Sequence, residues 1–176
     1  MSTLPAQVTI PNTELHALRS SAVDQEFSIH IALPDNYARG EKTYPVLYMV
    51  DANSDFGIVT GTLRTLTVLN DISEVLVVGI GYPVETFKDA LGLRTRDLTP
   101  TATNWYETRL KAFGTAPPPD AGSGGAANFL RFIREELMPF VNSPYRVRPD
   151  DNAFMGFSLG GLFGLFWATF PQHVPP

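Results

Sequence analysis

Ser158 stands in Gly156-Phe157-Ser158-Leu159-Gly160, a G-x-S-x-G spacing that suits attack of a serine oxygen on a carbonyl carbon. Alone, the motif is equally a glycine-rich turn with a chance serine. Its flanks decide between the two. Ala153 to Phe157 is a short apolar run that suits a buried strand, and Leu159 to Phe170 is apolar at nearly every position, as in a helix packed on all sides. A strand that turns abruptly into a helix strains the residue at the turn and lifts its side chain to the sheet's edge, at a helix N-terminus. Gly156 and Gly160 flank Ser158 because a Cβ at either place would crowd that turn.

Few other residues offer chemistry. Arg94, Arg96 and Asp97 cluster in Arg94-Thr95-Arg96-Asp97-Leu98-Thr99-Pro100. Arginine forks suit carboxylate and phenolate oxygens, so Arg94 and Arg96 are candidate contacts for a polar or anionic acyl substrate. A salt-bridged loop anchor is the equal alternative. The chain has three histidines. His30 falls in an early strand and reads as structural, and His16 reads as exposed. His173 follows the elbow helix, which at 1.5 Å per residue carries it about 18 Å from Ser158. No Asp or Glu follows Ser158, so an acid and a histidine in the order Ser, acid, His are not found. No histidines pair at ligand spacing, so no metal and no cofactor are expected.

The elements that must position Ser158 read as follows. Thr13 to Arg19 is a weak strand, and Glu26 to Leu33 alternates Phe27, Ile29, Ile31 and Leu33 on one side. Tyr44 to Val50 and Glu74 to Ile80 are apolar runs expected of strands covered on both faces. Asp51-Ala52-Asn53-Ser54 breaks the first of these, and a helix is expected from Asp55 to Asn70, with Ile58, Leu63, Leu66 and Leu69 sharing a face. From Gly81 to Gly125 there is little periodicity, and Pro117-Pro118-Pro119 forbids regular structure there. Within this region Trp105, Tyr106 and Phe113 suit either a lid over an apolar acyl pocket or a surface loop. Leu130, Ile133, Leu137 and Val141 mark an amphipathic helix that Pro139 should end or bend. Strands alternating with helices predict an α/β fold around a mostly parallel sheet, in a single domain over residues 1–176.

Composition narrows the function classes. The 176 residues are 44% hydrophobic and 18% charged, which is globular. A net charge of −5 without a basic cluster argues against nucleic acid. No apolar run is long enough for a membrane span, and Met1 to Ile10 has no signal-peptide pattern, so cytoplasm is the default expectation.

Several stretches agree with one family. Ile31-Ala32-Leu33-Pro34, Tyr44-Pro45-Val46-Leu47-Tyr48-Met49-Val50-Asp51 and Gly79-Ile80-Gly81-Tyr82-Pro83 occur in its order. The Arg94 to Pro100 stretch, Ser123-Gly124-Gly125-Ala126 and Met155 to Gly161 follow. The chain resembles the first part of the esterase family of α/β-hydrolases that includes enterochelin-type siderophore esterases, S-formylglutathione hydrolases and mycolyl transferases. The Arg94 to Pro100 and Ser123 to Ala126 stretches look closest to the siderophore esterases. The resemblance implies carboxylic-ester hydrolysis of a small-molecule substrate through an acyl-serine at Ser158. It also implies that the backbone N–H groups of Leu159 and Asn53 bind the oxyanion, although Ala52 stands where the family usually has glycine. Every resembling stretch belongs to the family's first part, short of its C-terminal strands and helices and of the triad acid and histidine. Impaired catalysis and an exposed sheet edge, open to oligomerisation or aggregation, are therefore expected. A vestigial protein that binds an acyl ligand or partner, and an acyltransferase using the same serine, are the alternatives.

Overall fold

The computed structural model describes residues 8–104, 108, 111–112 and 122–169. Five strands are described: β1 (Thr13–Ser20), β2 (Gln25–Ala32), β3 (Tyr44–Met49), β4 (Leu76–Gly81) and β5 (Val147–Met155), in the spatial order β1-β2-β4-β3-β5. β1 and β2 form an antiparallel hairpin, and β2 joins β4 antiparallel. β4, β3 and β5 run parallel to one another, so the sheet is mixed, with its parallel half at the β5 side.

Period-two alternation gives the sheet two apolar faces. Phe27, Ile29 and Ile31 of β2, Tyr44, Val46 and Tyr48 of β3, and Leu76, Val78 and Ile80 of β4 make the larger core. Over it lie α2 (Phe87–Leu98), α3 (Ala126–Phe132) and α5 (Leu159–Thr169). Rings bind these layers together: Phe27 stacks on Phe132 at 4.4 Å between centroids, and Phe129 meets Phe163 edge-on at 5.1 Å. The opposite face is covered by α1 (Ala52–Val68), whose Ala52, Phe56 and Val59 pack on Ala32, Met49 and Val77.

The structure corrects several expectations. α1 begins at Ala52, directly after β3, because Asp51 makes the whole turn: its carbonyl accepts from both Ser54 and Asp55 N–H, each at 3.0 Å. Its inward stripe runs through Ala52, Phe56, Val59 and Leu63, whereas Ile58 and Leu69 are exposed. Ile58 lies about 200° around the helix from Phe56, at 100° per residue, so the two cannot both face the sheet. Regular structure also appears where little was expected. α2 starts on a capping box in which Thr86 Oγ1 accepts from Asp89 N–H and the Asp89 carboxylate accepts from Thr86 N–H. Thr86-Phe87-Lys88-Asp89 carries that signature in sequence.

α3 continues through a π-helical turn at Ile133–Leu137 into α4 (Met138–Asn142). Met138 N–H bonds the Ile133 carbonyl, five residues back, immediately before Pro139, which has no N–H to give. Pro139 thus widens the helix by one turn instead of ending it. Leu130, Ile133, Leu137 and Val141 are all buried, as their spacing predicts.

β5 and α5 are less enclosed than expected. β5 is the last strand of the described sheet, and Phe154 is its inward anchor, packed on Phe163 and Trp167. Among the described residues no helix covers its other face, since α1 lies across β2, β4 and β3, and Met155 and Phe157 are 46% and 80% exposed. α5 buries Gly160 and Phe163 but exposes Leu162 and Leu165. Among the described residues no helix is long and apolar enough to cross a membrane.

Candidate active site

β3, β4 and β5 run parallel, so the residues that follow them meet at one edge of the sheet: Asp51 after β3, Tyr82 after β4 and Ser158 after β5. That carboxyl edge is where open α/β sheets place ligand sites. Met49 of β3 pairs with Met155 of β5, which brings the turn into α1 alongside the turn into α5.

Ser158 has φ +56, in the left-handed region that L-residues other than Asn and Asp seldom enter. It is exposed and immediately precedes α5. The turn is tight. A Cβ on Gly156 would come within 2.5 Å of the Gly160 carbonyl group, and one on Gly160 within 2.7 Å of Val50 Cγ2. Gly160 N–H bonds the Phe157 carbonyl at 2.8 Å, and Leu162 N–H bonds the Ser158 carbonyl at 3.1 Å. Leu159 is the first residue of α5, where an N–H has no intrahelical acceptor.

Asn53 occupies the corresponding turn of α1, also without an intrahelical acceptor for its N–H. Its side chain brackets the neighbouring strand end: Nδ2 donates to the Tyr82 carbonyl and Oδ1 accepts from Tyr82 N–H, both at 2.8 Å. The amide thus clamps the start of α1 to the residue after β4. Sequence reasoning gave this side chain no task.

The two arginines are held in ionic contacts. Arg94 donates Nε to Asp51 Oδ1 at 2.6 Å and Nη2 to Asp51 Oδ2 at 2.7 Å, with both side chains about 5% exposed. Its guanidinium lies 5.7 Å from the Phe87 ring centroid. Arg96 reaches Asp97 through Nε at 2.7 Å and Nη2 at 3.0 Å, and keeps one-fifth of its side chain exposed. Tyr82 donates its hydroxyl to Asp97 at 3.0 Å. Burial raises the Asp97 carboxyl above the usual carboxylate range, although Arg96 and Tyr82 pull it back. Burial, reinforced by Asp97, pushes the Tyr82 phenol well above its ordinary value. The Ser123 to Ala126 stretch joins the Arg94 to Pro100 stretch here. Gly124 N–H donates to Thr99 Oγ1 at 2.7 Å, and Gly125 N–H to the Arg96 carbonyl at 2.8 Å. Gly124, at φ +89, lies so close to Ala102 that a Cβ would sit 2.7 Å from its nitrogen.

The described histidines stand elsewhere. His30 is in β2, three strand spacings from β5, or about 14 Å across the sheet. It packs on Phe56 at 5.1 Å between centroids, and burial lowers its pKa. His16 is one strand further away, bonded to Glu14 and Tyr145. His173, Trp105, Tyr106 and Phe113 lie outside the described residues. A cleft of about 610 Å³ opens at the opposite end of the sheet, beside Asp35, Lys42, Thr60 and Glu74, and takes no part in this site.

A left-handed serine between a parallel strand and a helix, at the carboxyl edge of a mixed sheet with helices on both faces, defines an α/β-hydrolase. Comparison with known proteins agrees. The Esterase family model, described as Putative esterase, matches residues 20–174. The chain belongs to this esterase family. It is 35% identical over 165 residues to ferri-bacillibactin esterase BesA of Bacillus subtilis, covering 89% of this chain and 53% of that one. It is 37% identical over 128 residues to a siderophore enterobactin esterase of Emericella nidulans, covering 70% and 41% respectively. The crystal structure of the BES protein from Bacillus cereus superposes with a TM-score of 0.75 at 29% identity, over 93% of this chain and 58% of that one. The chain spans about half the length of the curated relatives it matches.

Proposed function

We propose that this chain carries the nucleophile side of a serine ester hydrolase that acts on siderophore-type carboxylic esters. The observation that carries the reading is the +56° φ of Ser158 in its strand–turn–helix setting. Ser158 Oγ attacks the ester carbonyl carbon as its proton leaves to a general base. The N–H groups of Leu159 and Asn53, at the starts of the two adjacent helices, hold the oxygen that becomes negative. Collapse of the tetrahedral species breaks the bond to the alcohol, which leaves with a proton, and water then releases the acid from the acyl-serine. The siderophore preference is supported by the names of the relatives above and by the joined Arg94 to Pro100 and Ser123 to Ala126 stretches. Arg96, with one-fifth of its side chain exposed, is the arginine we expect to meet an anionic substrate group.

Neither His16 nor His30 is placed to take the proton from Ser158, and this favours a second reading, in which the chain binds or traps an acyl group without turnover. The test is labelling of the full chain with a fluorophosphonate, followed by mass spectrometry and assay on p-nitrophenyl butyrate. The hydrolase reading expects an adduct on Ser158 and slow, impaired turnover, both lost in Ser158→Ala. An adduct without turnover selects the trapping reading. Labelling that survives Ser158→Ala removes the nucleophile assignment.

A further inference from the structure

We propose that Arg94 is a positioning residue which, through Asp51, fixes the turn between β3 and α1 and neutralises a carboxylate beside the first turn of the elbow helix. Asp51 stands at φ +60, in the left-handed region, which Asp enters more readily than most residues. Its backbone decides where α1 begins, because its carbonyl takes both Ser54 and Asp55 N–H. The directions of the next free donors, including Asn53 N–H, follow from that choice. Its carboxylate is placed against the other half of the site: Oδ2 lies 3.6 Å from where a Cβ on Gly160 would be, two residues after Ser158. One residue therefore lies beside both turns, and the Arg94 fork grips it with two bonds from α2.

The charge matters as much as the grip. A buried carboxylate beside the first turn of α5 would oppose negative charge developing at a carbonyl oxygen attacked by Ser158. The Arg94 guanidinium cancels it in place. This assigns Arg94 a different task from substrate contact, consistent with a side chain only 5% exposed and turned onto Asp51. Asn53 provides the second fixed point, through its amide clamp on Tyr82. The role in catalysis rests on the hydrolase reading, whereas the control of the turn does not.

The experiment uses the full chain with Arg94→Met and Arg94→Lys. Two quantities are read: the φ of Asp51 and the amide exchange of Asn53 by NMR, and the rate of Ser158 acylation by p-nitrophenyl acetate as a function of substrate concentration. Arg94→Met should move the Asp51 coupling and speed Asn53 exchange. It should also slow acylation at saturating substrate about 10-fold or more, part of the ~10²–10³ lost when an oxyanion donor is removed. Half-saturation should stay within about two-fold, since a neutral ester feels the lost charge far less than its oxyanion does. Arg94→Lys keeps the charge without the fork, and should recover part of the rate. An unchanged Asp51 coupling and Asn53 exchange in Arg94→Met overturns the proposal, whatever the rate does. A loss confined to half-saturation overturns it too, because that is the signature of a substrate contact. If Arg94→Met does not fold, Arg94→Lys decides by the same readouts against wild type. If the wild-type chain forms no Ser158 adduct, the hydrolase reading fails, and the NMR pair alone decides whether Arg94 holds the turn.

Discussion

Adding one methyl group at each glycine of the elbow tests the site's geometry more sharply than removing Ser158. A Cβ on Gly156 meets the Gly160 carbonyl carbon and oxygen at 2.5 Å, and these are backbone atoms that cannot turn aside. On Gly160 it meets Val50 Cγ2, a buried and β-branched neighbour, at 2.7 Å. On Gly164 it meets the Phe154 ring at 3.1 Å, and on Gly161 only the Gly156 oxygen at 3.5 Å, an ordinary contact. The elbow should therefore answer in a graded order. Gly156→Ala should cost about 3 kcal/mol, the upper part of the range for overpacking, because relief requires the strand end and the helix to part. For a chain of this size that is a fall in Tm of about 6–12 °C. Gly160→Ala should cost somewhat less, and Gly164→Ala should lie near neutral. Gly161→Ala should gain up to ~1 kcal/mol, because alanine is the better helix former and nothing resists it. Urea melts of the four variants give the order directly, and fluorophosphonate labelling gives the effect on Ser158. Gly156→Ala melting and labelling like wild type would refute the close strand–helix contact on which the nucleophile assignment stands. So would a Gly161→Ala variant that loses as much as Gly156→Ala.

Two further outcomes are expected. Burial lowers the pKa of His30 from its ordinary value of 6.5, so below that pH the unfolded chain gains a proton that the folded chain resists. Stability should fall as pH drops from 7.5 to 5.5, and His30→Gln should flatten that slope. An equal slope in the variant would show that His30 is not held neutral. At the sheet edge, the uncovered face of β5 and the exposed Met155 and Phe157 should drive concentration-dependent self-association, reduced by Ala153→Lys, because a charge on an edge strand opposes pairing with another chain. Sedimentation as a monomer at all concentrations would contradict this.

What was legible in the sequence follows from how local each signal is. The alternation of Phe27, Ile29 and Ile31 and the apolar runs of β3 and β4 report burial directly, and these strands fall where the pattern puts them. The turn at Ser158 was legible too, since strand, glycine, serine, glycine and helix lie within one short stretch. The phase of α1 was not, because Ile58 and Phe56 are both apolar and only the sheet beneath selects one of them. α2 was missed for want of a clear stripe: six of its twelve residues are buried, but they include Gly92, Arg94, Thr95 and Asp97, which carry no apolar signal.

The same limit separates the two arginines, and it bears on how such sites are assembled. In sequence Arg94 and Arg96 are two cations in one polar run, equally suited to an anionic ligand. They lie on one helix two residues apart, so their side chains leave it about 200° from each other. Arg94 turns in toward Asp51, and Arg96 lies along Asp97 with part of its length in solvent. The partner that makes the difference, Asp51, is 43 residues away in the chain and on another element. No local pattern encodes that distance. It is set when β3 and β4 pair in parallel and α2 packs across them, which delivers Arg94 to the turn after β3. The candidate nucleophile is thus written into a pentapeptide, whereas the charge balance around it is written into the topology. A substitution that leaves the motif intact but shifts α2 should therefore disturb Ser158 through Asp51.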